Sequence, residues 1–267
     1  METLQDLLAK LWEDYSGLNP QARRIHHLLE ERGETILNDH VAFRTLALPG
    51  IDIAAMAAPF QAFGYRASGT YDFPEKKLTA FHYEHPDPLQ PKIFISELRV
   101  QELSQGARSL LLGLVNQIPG GFLANQDWCV GGRPWDLDFT AYEALERESD
   151  YAAWLSAFGF RANHFTVSAN ALRTFPDLVS LNNFLKAQGF PLNGGGGEIK
   201  GSPAVFLEQS STLADRVETG FRNGKHTIPG CYYEFARRYP LPDGKLFQGF
   251  NAKSADRIFE STDRLRK

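Results

Sequence analysis

Apolar and polar positions alternate most regularly in two short stretches far apart in the chain. In Asp39-His40-Val41-Ala42-Phe43-Arg44, an extended backbone puts Val41 and Phe43 on one face and His40, Ala42 and Arg44 on the other. A weaker copy, Asn163-His164-Phe165-Thr166-Val167-Ser168, puts Phe165 and Val167 on one face and His164, Thr166 and Ser168 on the other. Each predicts a strand with one face in a core and the other toward something polar. An Asp or Asn precedes the histidine both times, and the histidine falls on the polar face both times. Two such strands suggest a duplicated module with a site shared between its halves.

The surrounding pattern predicts the same order of elements twice. Leu4, Leu7, Leu8, Leu11, Trp12 and Tyr15 fall at helical spacing, and Asn19-Pro20 starts a second helix carrying Ile25, Leu28 and Leu29, so residues 1–36 read as a helical lead-in. His26 and His27 are expected on its solvated face. Residues 37–100 read as a first βαβββ module: the His40 strand, a helix over 51–63 stopped by Gly64, then strands over 65–73, 78–85 and 92–99, separated by Pro74, Pro86, Pro88 and Pro91. Residues 101–160 read as a helical insert. Residues 161–240 read as a second βαβββ module: the His164 strand, a helix over 175–188, strands over 198–201 and from 205, and a last strand over 231–239. The pattern leaves 213–221 open between strand and helix, and 241–267 is expected as a C-terminal tail. The fold class is therefore α+β, one domain in which two βαβββ modules form a cupped mixed sheet.

Composition narrows the function classes. The chain has 267 residues, 43% hydrophobic and 22% charged, with a net charge of -4. No basic footprint points to nucleic acid or an anionic membrane. No apolar run approaches the roughly 20 residues that a membrane span needs. The first residues, Met1 to Asp6, are acidic where a secretory signal would be basic, so a cytoplasmic location is the expectation. The two cysteines, Cys129 and Cys231, have no metal-binding spacing, so any metal would be held by His and carboxylate. Nothing in the pattern speaks to an oligomeric state.

The cup predicted by the paired modules offers four inward positions: His40 and Glu97 from the first, His164 and Glu234 from the second. Glu97, in the third strand after the helix, is expected as the counterpart of Glu234, which shares a face with Tyr232, Ala236 and Arg238. Two imidazoles and one carboxylate leave open positions opposite, the arrangement of non-haem Fe(II) oxygenases. Four protein ligands would favour Lewis-acid chemistry instead. The plain alternative for Glu234 is a structural ion pair with Arg238. His82 and His85 alternate to opposite faces and are expected at a surface or pocket rim. The run Asn193 to Gly197 lacks the ending of a phosphate cradle and is expected as a hairpin tip or a lid.

With these residues in place the sequence resembles the 2-oxoadipate dioxygenase/decarboxylase (2-hydroxyglutarate synthase) family, a divergent branch of the vicinal-oxygen-chelate fold. The resemblance runs from His40 to about Phe259. It rests on His40-Val41-Ala42-Phe43-Arg44-Thr45, on Asn163-His164-Phe165-Thr166, on Gly196 to Ser202, and on Ile228 to Ala236. It implies Fe(II) held by His40, His164 and Glu234, with Arg44 binding the substrate. Lys253 and Ser254 resemble a substrate-contacting segment, although Lys253 departs from the apolar residue expected there.

Arg44 lies four residues past His40 on the same face, roughly 13 Å along an extended strand, and its fork suits the far carboxylate of a dicarboxylate. The implied reaction converts 2-oxoadipate and O2 to 2-hydroxyglutarate and CO2, with Arg44 as a catalytic group; Tyr232, which faces the cup with Thr166 and Ser168, is expected as a further catalytic group that orients oxygen or substrate. The alternatives are a metal-dependent isomerase or lyase of glyoxalase type, which coordination by Glu97 would favour, and a non-catalytic small-molecule binding module.

Overall fold

A computed structural model describes residues 3–125, 127–259 and 261. Its centre is a curled eight-stranded sheet in the order β2-β3-β4-β1-β5-β10-β7-β6. The first module contributes β1 (Asn38–Leu46), α3 (Ile53–Ala62), β2 (Arg66–Phe73), β3 (Leu78–Glu84) and β4 (Lys92–Leu98). The second contributes β5 (Ala162–Ser168), α7 (Leu178–Ala187), β6 (Lys200–Ser202), β7 (Leu207–Ser211) and β10 (Tyr232–Arg238). In each module the first and last strands run parallel, β1 beside β4 and β5 beside β10. The modules meet where β1 and β5 pair antiparallel. The two expected βαβββ units are therefore present. The segment left open in the sequence is a strand, β8 (Arg216–Phe221), paired with β9 (Gly224–Pro229) as a separate hairpin inserted before β10.

The outer face of the sheet is covered by helices because the apolar phase of the central strands points there. Phe43 packs on Phe60 of α3, and Phe165 and Tyr233 pack on Trp12 and Tyr15 of α1 (Leu4–Leu18). Between α1 and α2 (Pro20–Glu31) the Asn19 side chain makes no cap bond and instead donates to the Tyr15 hydroxyl at 2.8 Å. His27 is exposed as expected, whereas His26 is half-buried with its ring 5.0 Å from that of Trp12.

The stretch expected as a helical insert holds α4 (Gln105–Val115), α5 (Phe139–Glu146) and α6 (Asp150–Phe158), and every residue of α6 after Asp150 is buried. This last helix closes the inner face at one end. Tyr151 donates its hydroxyl to the Ser96 carbonyl at 2.7 Å, and Trp154 donates to the Gly230 carbonyl at 2.7 Å. The C-terminal stretch folds back over the inner face and ends in α8 (Ala252–Phe259); the part of the expected tail from 262 onward lies outside the described residues.

Two register shifts prepare the inner face. Along the β1–β5 pairing, Asn38 opposes Val167 and His40 opposes Thr166, which leaves Asp39 as an extra residue. Ala42 opposes His164 and Phe43 opposes Ala162, which leaves Asn163 as another. A bulge rotates the backbone locally, so neighbouring side chains that would point to opposite faces can meet. In both modules the extra residue directly precedes the histidine.

Candidate metal centre

The inner face brings His40, His164 and Glu234 together. One ligand atom from each lies within 4.8 Å of the others, and all three residues are buried. His164 Nε2 is 3.2 Å from Glu234 Oε2, and His40 Nε2 is 3.7 Å from Glu234 Oε1. Among the described residues this is the one cluster of His, Cys, Asp and Glu side chains able to share an ion.

The bulged residues fix both rings. His40 Nδ1 lies 2.8 Å from Asp39 Oδ1, and a carboxylate can only accept, so Nδ1 carries the proton and Nε2 offers its lone pair inward. His164 Nδ1 lies 3.0 Å from Asn163 Oδ1 with the same consequence. Burial pushes both imidazoles below their ordinary range; for His164 the nearby His40 and Arg44 push further, while for His40 the Asp39 bond opposes the shift. Neutral imidazoles are what a metal requires.

Glu234 is the electrostatic anomaly. Burial raises its carboxyl to about 8, against the bond it accepts from Gln209 Nε2 at 2.6 Å. Its Oε2 makes no hydrogen bond. A buried carboxylate held this way is costly, and a divalent cation between it and the two imidazoles would relieve that cost. Arg238 does not serve, because it pairs with Asp39 at 2.7 Å and 2.9 Å. The structural ion pair considered for Glu234 is therefore absent.

Arg44 and Tyr232 also reach the inner face. Arg44 is 1% exposed, with its guanidinium 4.9 Å from the Tyr151 ring centre and 5.0 Å from that of Trp154. Tyr232 stacks on His164 with ring centres 4.6 Å apart, and its buried hydroxyl has no hydrogen-bond partner among the described residues. Burial and then the charge of Glu234 raise that hydroxyl well above the ordinary tyrosine range, so it remains a donor.

Several expected residues are elsewhere. Glu97 does not face the cup: β4 places Lys92 beside His40, Phe94 beside Ala42 and Glu97 beside Thr45, so Glu97 points outward. There it accepts the Ile53 N–H at 2.9 Å at the start of α3. In the second module Tyr232 lies beside His164 and Glu234 beside Thr166. The counterpart of Glu234 is therefore Phe94. Lys253 is exposed and lines surface grooves rather than the His-His-Glu cavity, and Ser254 is buried beside Gly201. His82 is buried at the rim of a groove, in line with the pocket-rim expectation, and is bonded to Tyr71 and Glu84. The Asn193 to Gly197 run is tied down by Lys200, which donates to the carbonyls of Asn193 and Gly197 at 2.5 Å and 2.6 Å.

Sequence reasoning did not find Gln209, Phe94, Phe250 and Ile258, which line the cavity with the three candidate ligands. Gln209 had a readable signal: it is a polar residue on a strand next to the one bearing Glu234. Phe250 had none, since it lies outside any periodic element.

Comparison with known proteins gives the family. The sequence profile of the 2-oxoadipate dioxygenase/decarboxylase family matches residues 2–117 and 133–247. The chain belongs to that family. A rice relative, the chloroplastic/amyloplastic 2-oxoadipate dioxygenase/decarboxylase of Oryza sativa subsp. japonica, is 35% identical across 96% of this chain and 78% of its own. A crystal structure of hydroxyglutarate synthase from Oryza sativa in complex with 2-oxoadipate superposes with a TM-score of 0.91 at 33% identity, covering 97% of this chain and 91% of that one. A crystal structure from Shewanella frigidimarina NCIMB 400, carried under the provisional label of a hydrolase, is 49% identical with a TM-score of 0.90, covering 94% and 99%. No helix among the described residues is long and apolar enough to cross a membrane.

Proposed function

We propose that this member of the family is an Fe(II)-dependent dioxygenase that decarboxylates a 2-oxo dicarboxylic acid, converting 2-oxoadipate and O2 to 2-hydroxyglutarate and CO2. The observation that carries the reading is the convergence of His40, His164 and Glu234 in a buried cup whose fourth equivalent position is the apolar Phe94. Two neutral imidazoles and one carboxylate, with no fourth His, Cys, Asp or Glu in the cluster among the described residues, suit a first-row ion with coordination sites left over for small molecules. Bound iron would chelate the 2-oxo acid and activate dioxygen, with the substrate's own oxo acid supplying electrons, so no separate reductant is needed.

The chain's own residues supply position and exclusion of water. Arg44, held between two aromatic rings, is the cation for the far carboxylate; a bidentate fork distinguishes a diacid from a monoacid. Its rings limit where the guanidinium can swing, which fixes the substrate's length direction. The Tyr232 hydroxyl is a buried donor without an acceptor among the described residues, a state costing about 1–3 kcal/mol that a substrate or oxygen atom would relieve. Thr166 Oγ1 lies 3.0 Å from His40 Nε2, and Gln209 holds Oε1 of Glu234, leaving Oε2 for the ion. Phe94, Phe250 and Ile258 keep the site dry.

The absence of Glu97 from the cluster removes the four-ligand arrangement on which the glyoxalase-type alternative rested. The test is anaerobic loading with Fe(II), followed by oxygen uptake and CO2 release across a panel of 2-oxo acids. We expect one CO2 per O2 consumed with 2-oxoadipate, and 2-hydroxyglutarate as product. Iron bound at these three residues with no turnover of any 2-oxo acid would defeat the oxygenase reading.

A further inference from the structure

We propose that Arg238 is a positioning residue that couples docking of the C-terminal strap, residues 239–250, to the orientation of His40. This inference rests on the metal reading above.

Arg238 is almost fully buried and its guanidinium faces two ways. Nε and Nη2 donate to the two oxygens of Asp39, at 2.7 Å and 2.9 Å. Nη1 donates to the carbonyls of Phe247 and Gly249, at 3.0 Å and 2.7 Å. The same Asp39 Oδ1 accepts from His40 Nδ1. A continuous path of hydrogen bonds therefore runs from the backbone of the strap, through one guanidinium and one carboxylate, to a candidate ligand of the ion.

The strap also stands beside the candidate site. The cavity at the three candidate ligands is about 20 Å³, room for about one water, whereas clefts for small-molecule ligands run to about 300–1,000 Å³. A mouth of about 730 Å³ lies on the other side of the strap, lined by Tyr71, His82 and Phe247 to Gly249 among others. Phe250 separates the two spaces. Its ring is 4.8 Å from that of His40 on the inside, and 5.9 Å and 5.3 Å from those of Tyr71 and His82 on the mouth side.

The far end of the strap, residues 247–250, is held by hydrogen bonds at two places among the described residues. Arg238 holds the carbonyls of Phe247 and Gly249, and the Tyr71 hydroxyl accepts the Phe250 N–H at 3.0 Å. Tyr71 is in turn set by His82, 2.9 Å away, whose other ring nitrogen meets Glu84 at 2.9 Å. Lifting Phe250 to admit a six-carbon diacid withdraws two acceptors from Nη1 and lets water reach the Arg238–Asp39 pair. His40 then loses the fixed partner that sets its ring. Its final orientation belongs to the closed state, when the substrate is already inside.

The experiment uses the full chain loaded with Co(II), whose visible absorption reports ligand geometry independently of turnover. Three variants are compared with the unmutated protein: Arg238→Gln, Arg238→Lys, which keeps the charge but not the fork, and Tyr71→Phe, which touches the strap and neither Asp39 nor His40. The readouts are the Co(II) spectrum, the Co(II) dissociation constant and the rate of tryptic cleavage after Lys245 in the strap. We expect Arg238→Gln to weaken Co(II) by about 10–100-fold, the usual cost of losing a residue that orients a ligand, with Arg238→Lys between it and the unmutated protein. We expect Tyr71→Phe to speed cleavage at Lys245 and to move the Co(II) bands in the same direction as Arg238→Lys. Should Arg238→Gln not fold, the other two variants decide the matter. Faster cleavage in Tyr71→Phe with an unchanged spectrum and dissociation constant would overturn the coupling. Absence of Co(II) bands in the unmutated protein would remove the metal reading, and the coupling with it.

Discussion

The two modules share a backbone plan and differ at the positions that matter for chemistry. Each places a histidine on its first strand just after a bulged Asp or Asn, and each lays its last strand parallel to that first one in the same relative register. At the position two residues past the histidine's neighbour, module one carries Phe94 and module two carries Glu234. The histidine's partner is charged in module one, Asp39, neutralised by Arg238, and uncharged in module two, Asn163. Symmetry in the scaffold brings the candidate donors together, and asymmetry in the side chains would leave one quadrant of an ion bound there without a carboxylate. Two acids would have closed it.

That comparison can be broken most severely at the histidines. His40→Ala and His164→Ala should each abolish metal retention, measured as metal per chain after gel filtration, because either half alone offers too few donors; full retention in either variant would refute the shared site. Restoring symmetry is the next largest perturbation. Phe94→Glu should keep metal loading near the unmutated value while oxygen uptake falls by at least an order of magnitude, since a second carboxylate would occupy an open position. Undiminished uptake would mean that the Phe94 position does not face the ion.

Making the first module's partner resemble the second's is milder for the metal. Asp39→Asn should weaken metal binding by about 10–100-fold and destabilise the fold by about 3–5 kcal/mol by stranding Arg238, and Asn163→Asp should also destabilise it, because it adds a carboxylate at a buried position; denaturant midpoints of the two variants check both. Arg44→Ala should raise KM for 2-oxoadipate by about 10–100-fold, the worth of a charge-assisted bond of ~1.5–3 kcal/mol, and affect monocarboxylic 2-oxo acids much less. Equal effects would remove its role. Glu97→Ala should do least: loss of the bond to the start of α3 costs about 1 kcal/mol and leaves kcat unchanged.

The histidine strands and β10 were legible because each carries a polar phase against an apolar one, which period-2 reading detects. β4 was not. Ile93, Phe94, Ile95 and Ser96 are all buried, so the strand has no polar phase to read, and Glu97 was placed on the wrong face by choosing the nearest acid. The plan of paired modules could be read from repeated element order, but the role of α6 could not. Its residues look like an ordinary apolar helix, and only tertiary packing shows that Tyr151 and Trp154 hold Arg44. Lys253 and Ser254 rested on resemblance alone, and the strap that bears on the site is the stretch before them, where Phe250 lies.

The antiparallel seam between β1 and β5 has a consequence for how the protein comes into being. His40 and Thr166, neighbours across that seam, are separated by 126 positions in the chain, and Glu234 comes later still. Contacts so distant in sequence form late and slowly. The proposed ion site is complete only once Glu234 has been made and the two halves have docked, so metal uptake would follow that docking rather than guide it.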